Sequence, residues 1–164
     1  MLRRLIVTRG LPAAGKTTRA LRWVAEDPER RARVGTDQVA AMLHPQILVG
    51  DDNDYTMLYA LREQLVVNAA IEALLRSGVD VVCDDTFLVP HYLETARDLA
   101  ERCGAELVVW DMRDVDVEVC IARDEQRGRN GGRSIGEQTI RNKHRLNREH
   151  ASLISVGATT GIEG

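Results

Sequence analysis

The chain has 164 residues, a length that suits one domain, and its 44% hydrophobic and 29% charged residues favour a folded protein with a buried core. The net charge of −3 gives no overall positive field that would attract nucleic acid, so any such contact has to be local. The three cysteines are widely spaced without a C-x-x-C pair, which argues against a disulfide framework or a zinc site. No apolar run is long enough to span a membrane, and we expect a cytoplasmic protein.

Short apolar runs alternate with helical patterns along the chain, which predicts a parallel α/β sheet. Strands are predicted at residues 4–9, 32–35, 79–83 and 105–110, and helices at 16–26, 37–43, 56–76, 90–103, 115–127 and 134–149. The helix at 56–76 is amphipathic. Its predicted apolar stripe follows the period of 3.6 only approximately and contains Leu58, Leu61, Leu65, Asn68/Ala69, Glu72/Ala73 and Leu75.

The remaining segments are predicted to be irregular. Residues 44–54 contain proline, glycine and aspartates and are predicted to be a connection, and the glycine-rich residues 128–132 are predicted to be a flexible, basic break. The tail over 151–164 is either a short terminal strand or partly disordered. We therefore expect one domain over residues 1–150, followed by this tail.

Residues 10–17 join the first predicted strand to the first predicted helix and match the phosphate-binding pattern G-x-x-x-x-G-K-[ST] without a mismatch. Glycines let backbone N–H groups approach a triphosphate closely, and the helix that follows points its N-terminal dipole at the same phosphates. Lys16 is expected to reach the β- and γ-phosphates, and the Thr17 hydroxyl to bind Mg²⁺. The sequence therefore predicts a site for ATP or another NTP with Mg²⁺. The predicted contacts are Gly10, Ala13, Ala14, Gly15, Lys16, Thr17 and Thr18.

Asp37 directly follows the second predicted strand, at the edge of the sheet where parallel α/β proteins bind their ligands. A carboxylate at this point can accept the proton of an attacking hydroxyl, as a kinase requires. Ordinary capping of the next helix by Thr36 or Asp37 is the alternative. The sequence leaves both interpretations open.

Asp84 and Asp85 follow the third predicted strand, and an apolar strand that ends in acid is typical of a carboxylate that meets Mg²⁺ directly or through water. Adjacent side chains on an extended backbone point in opposite directions, so only one of the two can face the metal. A turn or a helix cap before Pro90 is the alternative to a metal-binding role.

A basic cluster extends from Arg123 to Arg148, and Arg123 and Arg127 share one face of a predicted helix because they are four residues apart. Beside a glycine-rich break, these arginines suit a lid that closes on ATP and stabilises the charge on the transferred phosphoryl group. A solvated helix surface is the alternative, and it is favoured for Arg141, Lys143 and Arg148. The predicted fold is thus a P-loop NTPase, in which helices flank a parallel sheet of four or five strands beneath an arginine-bearing helical lid.

With these residues, the chain resembles the kinase domain of phage-type 5′-hydroxyl polynucleotide kinases, within the wider group of small P-loop kinases. The resemblance covers nearly all of the chain, from about residue 4 to about residue 148. It rests on residues 10–17, Thr36-Asp37, Asp85-Thr86 followed by Phe87, Leu88 and Pro90, and Arg123 with Arg127-Gly128.

The resemblance implies a role for each matching residue. Asp37 would be the general base on the acceptor 5′-hydroxyl, and Lys16 and Arg127 would stabilise the transferring phosphoryl group. Thr17 would hold Mg²⁺, while Asp85 and Thr86 would support the acceptor and metal side, with Asp85 as a further metal-binding residue. Arg123 would contact the phosphates from the lid.

Two positions depart from the family. Ala40 stands where the family commonly has an arginine that clamps the acceptor's phosphate, and Phe87 replaces the asparagine that follows Asp-Thr. Neither position touches the triphosphate in this scheme, so both departures concern the acceptor and not the kinase reaction.

Three functions follow from these residues. The first is an ATP- and Mg²⁺-dependent kinase of the 5′-hydroxyl of a DNA or RNA end, acting in nucleic-acid end repair with that end as its partner. The second is a P-loop kinase of a small hydroxylated metabolite, nucleoside or antibiotic, which Ala40 and the net negative charge favour. The third is an ATP-binding switch with little turnover, which Asp37 and Arg127 argue against because a switch needs no acceptor base.

Overall fold

The computed structural model describes residues 2–44 and 57–151. Its elements are β1 (Arg3–Arg9), α1 (Lys16–Glu26), β2 (Arg31–Gly35), α2 (Thr36–Leu43), α3 (Met57–Arg76), β3 (Asp80–Asp84), α4 (Pro90–Arg102), β4 (Ala105–Asp111), α5 (Val117–Arg129) and α6 (Glu137–Ala151). Beyond His44, the predicted connection lies outside the described residues, and so does the predicted tail beyond Ala151.

The described strands form one parallel sheet in the order β2-β3-β1-β4. β1 is central, since Leu5 pairs with Val81 of β3 on one side and with Leu107 of β4 on the other. Gly35 at the end of β2 lies opposite Asp84 at the end of β3. Because all strands run the same way, the segments that follow β1, β2 and β3 emerge at one edge of the sheet. The predicted parallel α/β sheet flanked by helices is confirmed, with four strands in the described residues.

The sheet is packed on both faces, as alternation along β1 requires. Leu5 and Val7 enter one buried cluster together with Val67 of α3 and Leu99 of α4. Ile6 points to the opposite face, where it joins a smaller cluster that includes residues of α1, β3 and β4. The edge that carries the loop between β1 and α1 is therefore held by a core on each side.

The apolar stripe predicted for the long helix is wrong for its first leucines and right for Leu75. α3 buries Val67, Ile71 and Leu75 against the sheet, whereas Leu61 and Leu65 are exposed. Tertiary packing selects the face with the β-branched residues, which the approximate periodicity of the leucines did not reveal. Within residues 2–44 and 57–151, no helix has both the length and the apolar character needed to cross a membrane.

The helices that flank the glycine-rich segment begin and end later than predicted. α5 begins at Val117 because the Asp116 side chain caps it, accepting from the N–H groups of Glu118 (2.8 Å) and Val119 (3.4 Å). It continues through Arg129, so the prediction of a break was wrong for Gly128 and Arg129. α6 begins at Glu137, directly after a glycine with φ 91°.

Candidate active site

The loop between β1 and α1 lies at the centre of the sheet edge and has the close packing that its glycines permit. A Cβ at Gly10 would lie 2.8 Å from the carbonyl oxygen of Met112, so a larger residue does not fit there. Gly15 has φ 99° and is the N-cap of α1, and no side chain caps this helix. The first N–H groups of a helix have no intrahelical carbonyl. They are thus available to an anion held in the loop.

Lys16 is held inside this loop. Its side chain is 8% exposed, and Nζ donates to the carbonyl oxygens of Gly10 (3.1 Å) and Leu11 (2.6 Å). Burial lowers the pKa of Lys16, and the nearby carboxylates of Asp85 and Asp84 oppose that shift. The cation thus lies between the phosphate-binding loop and the acidic end of β3.

The two aspartates at the end of β3 point to different partners, as expected for neighbours on an extended chain. Asp84 is buried, and its Oδ2 accepts from Nε of Arg33 at 2.6 Å. Asp85 accepts from the hydroxyl of Thr36 at 2.9 Å and from the N–H of Thr86 at 2.6 Å. Asp85 is therefore the aspartate that faces the start of α2.

The segment after β3 is tied to the phosphate loop by backbone groups. The N–H of Gly10 donates to the carbonyl of Thr86 at 3.0 Å, and Nε of Arg9 donates to the carbonyl of Phe87 at 3.0 Å. Phe87 is buried with φ 43°, a conformation that costs energy in a residue with a side chain. Sequence reasoning missed the anchoring role of Arg9, whose one signal is its position at the end of β1, directly before the phosphate loop.

Asp37 lies in the first turn of α2, and its side chain is 79% exposed. The predicted alternative of helix capping is wrong, because the N-cap of α2 is Gly35 and no side chain caps the helix. The Thr36 hydroxyl is engaged with Asp85 instead. The carboxylate of Asp37 lies 3.6 Å from Nη1 of Arg133, a residue of the segment that joins α5 to α6.

α5 brings the two predicted lid arginines to the phosphate loop. Nη1 of Arg123 donates to the carbonyl of Ala13 at 3.4 Å, and Arg127 pairs with the buried carboxylate of Asp124. A cavity of about 1040 Å³ opens between this helix, α1 and β4. Its walls include the predicted contacts Ala13, Ala14, Gly15, Lys16, Thr17, Thr18, Arg123 and Arg127.

The predicted acceptor residues lie apart from this cavity. Among the described residues, its walls do not include Asp37, Asp85, Thr86 or Gly10. The first three are grouped instead around the start of α2, where Thr36 connects to Asp85. The structure thus separates a cavity beside the phosphate loop from an acidic region beside α2, with Lys16 between them.

The basic residues farther along follow the helix-surface interpretation where the structure gives them partners. Arg141 pairs with Glu118 at 2.7 Å and with Glu137 at 2.7 Å, both on the outer surface of α5 and α6. Arg129 pairs with Glu125 at 3.0 Å. These arginines have acidic neighbours on the surface and are not drawn towards the phosphate loop.

The residues present fit a magnesium ion bound together with phosphates. Thr17 offers an exposed hydroxyl and Asp85 a partly exposed carboxylate, which are the hard oxygen donors that Mg²⁺ prefers. In the part of the chain that the structure describes, no group of three or more His, Cys, Asp or Glu side chains could hold a metal ion.

Solved structures share this fold at low sequence identity. A chain of the Pnkp1/Rnl/Hen1 RNA repair complex superposes with a TM-score of 0.71 at 21% identity, covering 93% of this chain and 46% of that one. The gluconokinase of Sinorhizobium meliloti gives 0.57 at 16% identity, covering 99% of this chain and 85% of that one. The APS kinase of Mycobacterium tuberculosis gives 0.52 at 16% identity, covering 67% and 76%. The chain therefore spans less than half the length of the RNA repair protein that it matches.

Sequence comparison supplies the family. No curated protein matches the chain. The family described as "AAA domain" matches residues 5–152, which includes the phosphate loop, the acidic end of β3 and the arginines of α5. With its parallel sheet, its phosphate loop and its match over most of the sequence, the chain belongs to this family of P-loop kinases.

Proposed function

We propose that the protein is an ATP-dependent kinase that transfers the γ-phosphate to the 5′-hydroxyl of a DNA or RNA end. One observation carries this proposal: the phosphate loop with its lysine, lined by two arginines of α5, and the accessible carboxylate of Asp37 follow β1 and β2 at the same edge of the parallel sheet. The fold similarity to a chain of an RNA repair complex supports the choice of acceptor.

The donor side binds and orients the triphosphate. The N–H groups at the start of α1 and the ammonium of Lys16 hold the β- and γ-phosphates, and Arg123 and Arg127 approach them from α5. Thr17 and Asp85 would hold Mg²⁺, which would supply positive charge that neutralises the phosphates. Positioning and charge stabilisation supply most of the rate in this class of reaction.

The acceptor side supplies the base. A bond forms between the 5′-hydroxyl oxygen and the γ-phosphorus, the bond from that phosphorus to the bridging oxygen breaks, and ADP leaves. Asp37 orients the hydroxyl and takes its proton, and its exposed carboxylate is open to an incoming strand. Arg133 lies beside Asp37 and provides a cation for the phosphate next to the acceptor nucleotide, a charge that Ala40 does not provide.

The test is transfer of labelled γ-phosphate, in the presence of Mg²⁺, to DNA and RNA oligonucleotides with a 5′-hydroxyl. The same oligonucleotides with a 5′-phosphate are the matched control, and nucleosides and sugars are tested alongside. We expect label on the 5′-hydroxyl strands and none on the controls. Label on small molecules alone would overturn the proposal.

A second candidate is a kinase of a small hydroxylated metabolite, nucleoside or antibiotic. Ala40, three residues after Asp37, favours this second candidate, because α2 then has no cation that could bind a phosphate group of the acceptor. The fold similarity to a gluconokinase fits the same interpretation. ATP binding without transfer or hydrolysis would point instead to a switch with little turnover.

A further inference from the structure

Asp124 of α5 is a charged residue in the interior of the lid region. It is 1% exposed, and it accepts hydrogen bonds from the hydroxyl of Ser134 (2.7 Å) and from the N–H groups of Ile135 (2.9 Å) and Gly136 (2.9 Å). Its other oxygen accepts from the guanidinium of Arg127. One carboxylate thus joins a lid arginine to the segment between α5 and α6.

The carboxylate is buried as an anion. A buried charge is costly unless it is paired and hydrogen-bonded, and removing its partners destabilises a protein strongly. Burial raises the pKa of Asp124, but the hydrogen bonds from Gly136, Ser134, Arg127 and Ile135 outweigh that effect, and the pKa is lowered. Asp124 is therefore a charged acceptor at neutral pH.

The same contacts fix the position of Arg127. Its guanidinium is held by Asp124, and its backbone carbonyl accepts from the N–H of Gly132 at 2.9 Å. A Cβ at Gly132 would lie 2.7 Å from Cγ of Arg127, so the segment packs directly against the arginine's side chain. Arg127 is 43% exposed and lies in the wall of the cavity beside the phosphate loop. Without these contacts, the side chain would gain conformational entropy by moving from the cavity wall into solvent.

The anchored segment also carries Arg133. Ser134, which donates to Asp124, is the next residue, and Arg133 in turn lies 3.6 Å from the carboxylate of Asp37. Asp124 thus touches the donor side through Arg127 and the acceptor side through the segment that bears Arg133. No other element is needed to connect the two.

We propose that Asp124 is a positioning residue for phosphoryl transfer. It fixes Arg127 at the donor phosphates and holds the segment with Arg133 beside Asp37, the proposed general base. This inference rests on the proposed kinase function and concerns any acceptor. It assigns Asp124 no contact with substrate, since the carboxylate acts through Arg127 and the segment.

The test is a double-mutant cycle of Asp124→Asn and Arg127→Ala. Asp124→Asn keeps the size of the side chain but removes its charge, and we expect kcat to fall about 10- to 100-fold with KM for ATP changed less than about threefold. On ATP hydrolysis, which does not use the acceptor side, Asp124 should act through Arg127, so Asp124→Asn causes less than about a threefold further loss in the Arg127→Ala protein. Losses that multiply in the double variant, or an unchanged kcat in Asp124→Asn, would overturn the proposal.

Asp116→Asn is the matched control, because Asp116 caps α5 and also accepts from backbone N–H groups, but those groups belong to Glu118 and Val119 at the opposite end of the helix from Arg127. We expect it to lower Tm slightly and to leave kcat within about twofold. If Asp124→Asn does not fold, Ser134→Ala removes one hydrogen bond to the carboxylate and leaves the charge in place. It is expected to lower the kcat of ATP hydrolysis about two- to fivefold in the native background and not in Arg127→Ala; equal losses of hydrolysis in both backgrounds would count against the proposal.

Failure of the acceptor assignment is separated from failure of this inference by running the cycle on ATP hydrolysis and on whichever acceptor is labelled. Hydrogen exchange of residues 130–136 provides a readout that needs no turnover. Faster exchange there in Asp124→Asn, but not in Asp116→Asn, is expected. Equal exchange in both variants contradicts the anchoring role, whatever the acceptor is.

Discussion

The proposed donor and acceptor sides of the site are built from different kinds of contact. On the donor side, Lys16 is 8% exposed and donates to two backbone carbonyls, and the loop packs against Met112 without room for a methyl group at Gly10. On the acceptor side, Asp37 is 79% exposed, and its ion pair with Arg133 has an N–O distance of 3.6 Å. The donor side is fixed by the main chain, and the acceptor side by surface side chains.

We infer that this difference corresponds to two functions of the site, catalysis of transfer to any acceptor and selection of the acceptor. Backbone geometry tolerates little change, so substitutions on the donor side should reduce transfer to every acceptor alike. Exposed side chains can be exchanged without disturbing the core, so substitutions on the acceptor side should change which acceptor is used. The predictions below test that division.

The largest effect is expected from Lys16→Ala. Removing a charged donor from a buried phosphate site should lower kcat/KM about 1000-fold or more, by the same factor for every acceptor. Arg76→Ala, which removes a cation that is 59% exposed and paired with Glu72 on the surface of α3, is the control and should stay within about twofold, because an exposed charge contributes little. Steady-state transfer kinetics on two unrelated acceptors measure this. If the loss of kcat/KM differs between the two acceptors, the division between donor-side and acceptor-side residues is wrong.

The second-largest loss of transfer is expected from Asp37→Asn. Loss of a general base typically costs a factor of about 100 to 1000, while ATP binding on the donor side should not change. Single-turnover transfer and equilibrium binding of a fluorescent ATP analogue separate the two quantities. Near-normal transfer in this variant would mean that Asp37 is not the base.

Arg133→Ala should have a smaller and more selective effect. We expect KM for a 5′-hydroxyl oligonucleotide to rise about three- to tenfold at low salt, with KM for ATP unchanged, since exposed charges contribute little and are screened by salt. Arg129→Ala, which removes an arginine paired only on the surface of α5, is the control. An equal rise in both variants would remove Arg133 from the acceptor side.

The smallest expected effect concerns acid stability and Asp124. Because its folded-state pKa lies below the ordinary value of 3.8, the folded protein binds fewer protons there than the unfolded chain. The stabilisation is complete above the unfolded-state pKa and is lost as the pH falls through the folded-state pKa. The difference in Tm between the native protein and Asp124→Asn should therefore shrink below about pH 4, as thermal unfolding at a series of pH values would reveal. A difference that stays constant or widens on acidification would contradict the charged state of Asp124.

The donor side could be predicted from the sequence because its chemistry is local. Strand, loop and helix follow one another directly, and the residues that phosphate binding requires are consecutive. The order of elements and the parallel sheet follow from the same local patterns, and the positions of strands and helices agree to within a few residues. Thr36 and Asp85 meet at the same sheet edge because parallel strands place their carboxyl ends together, although the sequence indicated no contact between these two residues.

The rest depends on contacts between distant residues, which a single sequence does not contain. Nothing near Asp37 in the chain indicates that Arg133 lies beside it, and nothing near Asp124 reveals that it is buried. Asp124 has the appearance of one more charge in a charged helix. The prediction for the first leucines of α3 was wrong for a related reason. Leu61 and Leu65 lie on one face of the helix and Val67 and Ile71 on another, and packing against the sheet determines which face is buried.

The contact between Gly10 and Met112 also sets where the lid can turn. Met112 follows β4 directly, its N–H donates to the carbonyl of Arg9 at 2.6 Å, and its Cε would lie 3.6 Å from a Cβ at Gly15. The chain is thus fastened to the phosphate loop immediately before it leads into α5. We expect the lid to pivot beside the phosphates rather than at the far end of the sheet. Because the pivot would then lie close to α5, a small rotation of this helix would bring its arginines to the nucleotide.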